Sequence, residues 1–87
     1  MVIIVPKGWV HRDNYLKREF NFSTFAQAIS FIQNVSTVCE KLNHHPEWKN
    51  IYNRIWVDLT THDSGQVTEK DIQLANIMNT LFEEIQK

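Results

Sequence analysis

Trp48-Lys49-Asn50-Ile51-Tyr52-Asn53-Arg54-Ile55-Trp56-Val57-Asp58-Leu59-Thr60-Thr61-His62 is the stretch that decides the fold. In its second half Ile55, Val57, Leu59 and Thr61 alternate with Trp56, Asp58, Thr60 and His62. That period of two puts one set of side chains on a core and the other on the opposite face of a strand. Trp48 to Tyr52 reads as the partner strand, so the segment is a hairpin. A two-residue turn at Asn53-Arg54 sets Trp48 opposite Leu59, Lys49 opposite Asp58 and His45 opposite His62, with opposed Cα atoms roughly 4.5–5.5 Å apart. The Lys49–Asp58 charge match agrees with this register. Asn53 tolerates positive φ, whereas Arg54 is not the glycine a type I′ turn favours. A longer loop would still leave His44 and His45 near His62, so the hairpin predicts a histidine cluster at its open end.

Upstream, Phe25, Ala28, Ile29, Ile32, Val35, Ser36 and Cys39 recur at three- and four-residue steps and predict an amphipathic helix. Ser23 or Thr24 can cap it, and Thr24 with Gln27 has capping-box spacing. The helix should stop near Asn43, because the residue before Pro46 is disfavoured in the α region. Before it, Trp9-Val10-His11 and Tyr15 to Phe22 read as a strand pair joined by Asp13-Asn14. Leu16, Phe20 and Phe22 share one side of the second strand; Lys17, Glu19 and Asn21 face away. After the hairpin, Ser64-Gly65 breaks the pattern and Thr68-Glu69-Lys70-Asp71 resembles a capping box opening a second helix. Its Ile72, Leu74, Ala75, Ile77, Met78, Leu81, Phe82 and Ile85 cover more than a narrow stripe, so part of that face is expected against another subunit. The order ββαββα predicts an α+β domain: a four-stranded antiparallel sheet with helices packed on one face.

A length of 87 residues allows one domain, spanning 1–87, and is too short for two. With 43% hydrophobic residues and a net charge of −1, the composition excludes the disordered class. A pI near 6.4, with basic residues dispersed among acids, argues against nucleic-acid binding. The lone Cys39 cannot form an intramolecular disulfide and fits a reducing compartment. The apolar opening Met1 to Val5 is too short for a signal peptide or a membrane span. The expectation is a cytoplasmic protein with no membrane partner.

The histidines carry the chemistry. Imidazole ordinarily titrates near 6.5 and can give or take a proton at neutral pH. Positioned groups of this kind contribute roughly 10²–10⁴-fold to a rate. Each candidate also has a plainer explanation. A His-His pair before a proline is more often a loop feature than a site. Three histidines could instead hold zinc, but no cysteine lies near and no carboxylates obviously converge. Asp71, at the third position of a helix, stabilises that end whatever else the protein does. Trp9 and Trp56 suit packing, and His11 suits the surface.

The segment Glu40-x3-His44-His45-Pro46-x5-Tyr52-x9-His62-x8-Asp71, with Glu47-Trp48 after the proline, resembles the signature of the pterin-4a-carbinolamine dehydratase family. Gly8-Trp9, the Leu16 to Phe22 strand, the Phe25 to Ile32 helix start and Val67-Thr68-x-x-Asp71 match the family pattern too. The resemblance implies loss of water from a 4a-hydroxytetrahydropterin, giving the quinonoid dihydropterin for recycling of tetrahydrobiopterin. It implies proton transfers by His44 and His62, with His45 holding the pterin. It also implies substrate contacts from Pro46, Thr61, Asp63 and Ser64, with Trp48 lining the site. No metal or cofactor is implied, the pterin being the substrate, and a homodimer or homotetramer is expected. The resemblance leaves two alternatives: an interaction module of the dimerisation-cofactor kind, and another pterin pathway such as molybdopterin metabolism. Two departures stand out: only seven residues precede Gly8 where a helical segment is usual, and Ser64-Gly65-Gln66-Val67 replaces a more glycine- and leucine-rich loop.

Overall fold

The alternating segment forms strand as expected, within the order β1 (Val10–Arg12), β2 (Tyr15–Asn21), α1 (Phe25–Leu42), β3 (Glu47–Ile51), β4 (Arg54–Leu59) and α2 (Glu69–Gln86). The computed structural model describes residues 2–86. Met1 of the apolar opening and the basic Lys87 lie outside the described residues. The strands make one antiparallel sheet in the order β1-β2-β4-β3, so the α+β, ββαββα architecture is the one expected. Asp13 and Asn14 both take positive φ, 53° and 68°, which is the backbone a tight two-residue hairpin turn requires.

The core lies between one sheet face and the two helices. Leu16, Phe20, Ile55, Val57 and Leu59 come from the sheet, Ala28, Phe31, Val35 and Cys39 from α1, and Leu74, Ala75 and Met78 from α2. Phe20, Phe22, Phe31 and Phe82 pack as a ring cluster, with centroids 4.8 Å apart for Phe20–Phe31 and 5.2 Å for Phe22–Phe82. Such pairs add to the burial of large apolar rings. Arg18 also points to this side of β2. Its guanidinium stacks on Phe20 and Phe82 and donates to Asn79 Oδ1 and the Lys7 carbonyl. A Cβ at Gly8, where φ is 85°, would stand 2.7 Å from that guanidinium, so glycine is needed there.

Four expectations are corrected. The buried stripe of α1 is centred on Ala28, Phe31, Val35 and Cys39, whereas Phe25 and Ser36 are exposed. Phe31 lies one step round from the expected line and meets Phe20 and Phe22. The β3–β4 turn falls at Tyr52-Asn53 rather than Asn53-Arg54, giving Trp48 opposite Val57 and Lys49 opposite Trp56. The reason is tertiary: the Asn53 amide donates to the Phe22 carbonyl at 2.7 Å, and Phe22 N–H donates to the Asn53 carbonyl. The shift is by two residues, so every side chain keeps its face. Asp58 therefore pairs with Lys17, directly opposite on β2, at 3.1 Å instead of with Lys49. Finally, β4 ends at Leu59, and His62 sits in a turn closed by Thr61 N–H donating to the Gln66 carbonyl. β3 has already ended opposite Asp58, the β2 pairing ends at Leu16–Leu59, and the Thr60 hydroxyl donates to the Asn14 carbonyl.

The extra apolar side chains of α2, Ile72, Leu81, Phe82 and Ile85, are half-buried against the same core. No helix among the described residues is long and apolar enough to cross a membrane. The corrected stripe makes a clear prediction. Phe31→Ala should cost roughly 3–5 kcal/mol in denaturant unfolding, and Phe25→Ala less than about 1 kcal/mol. Equal costs would refute this placement of the core.

Candidate active site

The site begins where α1 ends. Asn43 takes the left-handed conformation, φ 50° and ψ 46°, a C-terminal cap for which asparagine is the common alternative to glycine. His44 N–H reaches back to the Cys39 carbonyl at 3.1 Å, and the chain leaves the helix with His44 turned toward the start of α2. There Thr68 and Asp71 form the expected capping box: Thr68 N–H donates to Asp71 Oδ2 at 2.9 Å. The same carboxylate receives His44, whose Nε2 lies 2.6 Å from Asp71 Oδ1. Asp71 is 0% exposed and takes a third bond from Thr61 Oγ1 at 2.8 Å. Read from sequence as a cap alone, Asp71 also joins both helices to the sheet exit.

Each of the three motif histidines stands against a different carboxylate. His44 is buried with Asp71; His45 Nε2 lies 3.4 Å from Glu40 on the last turns of α1; His62 Nε2 lies 3.5 Å from Glu47 at the start of β3. The His45 and His62 side chains are 55% and 68% exposed. Asn43, His44, His45, Thr61, His62, Asp63 and Lys70 line one cavity of about 240 Å³. The expected histidine cluster thus forms, although by the turn after Thr61 rather than by opposed strand positions. A larger hollow of about 480 Å³ lies on the open sheet face, but Lys17 and Asp58 within it are already paired and it holds no histidine. The three histidines are in the smaller one.

Other candidates fall around it. Thr61 and Asp63 line the cavity, and Ser64 lines an adjoining depression with Thr68 and Lys70. Pro46 is half-buried between the histidines and β3. Trp48 packs against the core and lines a separate depression with Trp56. Tyr52 lies at the hairpin tip with φ 52°, the length of β3 away. Among the described residues, no three His, Cys, Asp or Glu side chains are arranged to hold a metal ion. Sequence reasoning missed Asn43 and Lys70 as lining residues, and Glu47 as the partner of His62. Glu47 was legible only as the residue after the proline; no spacing pointed to Asn43 or Lys70.

Glu47 has a second neighbour. Tyr15 is pushed above its ordinary pKa of 10.0 chiefly by a hydrogen bond to Glu47, then by desolvation and by the charges of Glu47 and Asp58. Burial likewise pushes the Cys39 thiol up, leaving it protonated and unreactive in the core.

A two-helix, four-stranded α+β domain with an imidazole–carboxylate cavity at one end defines the class. The chain matches the model of a family described as pterin 4 alpha carbinolamine dehydratase over residues 3–81, and it belongs to that family. It is 45% identical over 76 residues to a Prochlorococcus marinus (strain MIT 9515) protein named "Putative pterin-4-alpha-carbinolamine dehydratase", covering 87% of this chain and 79% of the relative. A Solibacter usitatus protein of the same name is 45% identical, with 85% and 78% covered. Among solved structures, a transcriptional coactivator/pterin dehydratase from Brucella melitensis superposes with a TM-score of 0.84 at 43% identity, covering 86% of this chain and 82% of that one. A pterin dehydratase-like RuBisCO assembly factor of the alpha-carboxysome shares the fold, with a TM-score of 0.71 at 17% identity, covering 85% of this chain and 86% of that one.

The Tyr15–Glu47 contact can be tested in a Tyr52→Phe background, where Tyr15 is the remaining tyrosine. Ultraviolet titration should show its phenol ionising above pH 10.0, and Glu47→Gln should move that transition down. An unmoved transition would show that Glu47 does not touch the phenol.

Proposed function

We propose that the protein is a pterin-4a-carbinolamine dehydratase, removing water from a 4a-hydroxytetrahydropterin to give the quinonoid dihydropterin by histidine acid–base catalysis. The observation that carries this is the convergence of His44, His45 and His62 on one cavity. Dehydration needs one proton delivered to the 4a-oxygen and one removed from N5. The C4a–O electron pair leaves with oxygen as water, and the N5–H pair becomes the N5=C4a double bond. Two imidazoles suffice for this, and no metal, oxidant or further cofactor enters the balance. His44 and His62 make the transfers, and His45 holds the ring, with Thr61 and Asp63 contacting its edge. The protein acts as a homodimer or homotetramer in the cytoplasm, recycling tetrahydrobiopterin; the buried, unpaired Cys39 fits a reducing compartment. A second function, as an interaction module, has support in the description of the Brucella melitensis relative as a coactivator as well as a dehydratase. The open outer face of the sheet, with Val10 and Ile51 exposed, is available to it.

A coupled assay separates the two. Phenylalanine hydroxylase supplies the 4a-hydroxypterin, and its decay is followed against the uncatalysed background. His44→Ala and His62→Ala should each lower turnover at least roughly tenfold while remaining folded. Near wild-type turnover in either would remove that histidine from the mechanism. A folded wild-type protein that gives no acceleration would leave the interaction module as the better account.

A further inference from the structure

The hydrogen bonds around Asp71 settle a point that the cavity alone leaves open, namely which ring nitrogen of His44 is free to act. Thr68 N–H donates to Asp71 Oδ2, and Thr61 Oγ1 donates to the same oxygen. A hydroxyl carries one proton, and that of Thr61 is spent on the carboxylate. The Thr68 hydroxyl, 2.6 Å from Thr61 Oγ1, therefore donates to it, and itself accepts from Lys70 N–H at 3.3 Å. Every proton in the chain points toward Asp71. Its remaining partner is His44 Nε2, 2.6 Å from Oδ1, and a carboxylate offers only lone pairs there. Nε2 must then carry the hydrogen, which leaves the lone pair of a neutral imidazole on Nδ1. Nδ1 has no hydrogen-bond partner among the described residues. No fully buried side-chain nitrogen or oxygen there lacks a partner, so this atom keeps some contact with solvent, on a residue that lines the cavity.

Resting on the dehydratase function proposed above, we infer that His44 is the base and works through Nδ1, with Asp71 its positioning residue and Thr61 and Thr68 orienting that carboxylate. The contrast with the other two rings supports the division of labour. His45 and His62 are largely exposed and meet exposed carboxylates at the longer distances of 3.4 and 3.5 Å, so their tautomers are held less firmly. His44 is locked by a buried one. In the reaction the N5 proton passes to His44 Nδ1 as the N5=C4a bond forms, and protonated His62 gives its proton to the departing oxygen. Water at the open cavity then takes the proton from His44 and restores that of His62. A carboxylate that holds an imidazole in its working tautomer is a recognised contributor to acid–base catalysis.

The tautomer is readable without any pterin. In uniformly ¹⁵N-labelled protein at a pH where its imidazoles are neutral, the His44 ring, assigned by comparison with His44→Gln, should show hydrogen on Nε2 and none on Nδ1. Asp71→Asn keeps the shape but turns an amide N–H₂ toward Nε2, so it should move the hydrogen to Nδ1. In the dehydration assay that variant should lose at least roughly tenfold in kcat with KM within about twofold. Thr61→Val should retain the tautomer and lose roughly fivefold in kcat, the size of one hydrogen bond. Hydrogen on Nδ1 in the wild-type spectrum would overturn the inference, as would a folded Asp71→Asn protein with wild-type kcat. If Asp71→Asn does not fold, the wild-type spectrum and Thr61→Val decide in its place. A wild-type protein with the expected tautomer and no dehydratase activity would instead overturn the proposed function, and with it the assignment of a base.

Discussion

A carboxylate taken wholly out of water must be met by donors, and in this chain those donors come from three separate places. Asp71 receives Thr68 from its own helix cap, Thr61 from the exit of β4, and His44 from the exit of α1. The two helices and the sheet are thereby tied at one corner by a single side chain. Leaving any one of these donors unmet in the interior costs about 1–3 kcal/mol, a large share of the stability of so small a domain. The sheet, the aromatic cluster and the helix packing bring the three elements within range. The carboxylate then fixes how they end.

The same corner is where the chain becomes chemically useful. Helix α1 cannot continue past Asn43, whose left-handed backbone turns His44 and His45 off the helix axis. Strand β4 ends at Leu59, one residue past its last pair with β3, and the turn that follows carries His62. Two forced chain exits thus deliver three imidazoles to one cavity. The carboxylates that meet them differ in burial, from Asp71 at 0% to Glu40 at 80% side-chain exposure, so the three rings are held with unequal firmness.

Membership of the pterin-4a-carbinolamine dehydratase family agrees with this geometry but does not replace it. A solved structure 43% identical to this chain is described as both coactivator and dehydratase. A shared fold can host more than one role, so the role of this chain turns on its imidazoles and their partners.

The amino-acid sequence by itself determined the element order, the faces of the strands and both helix caps. Those follow from local periodicity and from side chains bonding their own neighbouring backbone, interactions that span a few residues. The register of β3 on β4 was beyond it, because the deciding bond runs from Asn53 to Phe22, 31 residues away. The centre of the α1 stripe was beyond it too: Phe31 and Phe25 are equally apolar, and only the rings of Phe20 and Phe22 select the first. Asp71 shows both halves at once. Its cap is a local bond to Thr68 and could be read in advance, whereas its grip on His44, 27 residues away, exists only once the ends of two helices are packed together.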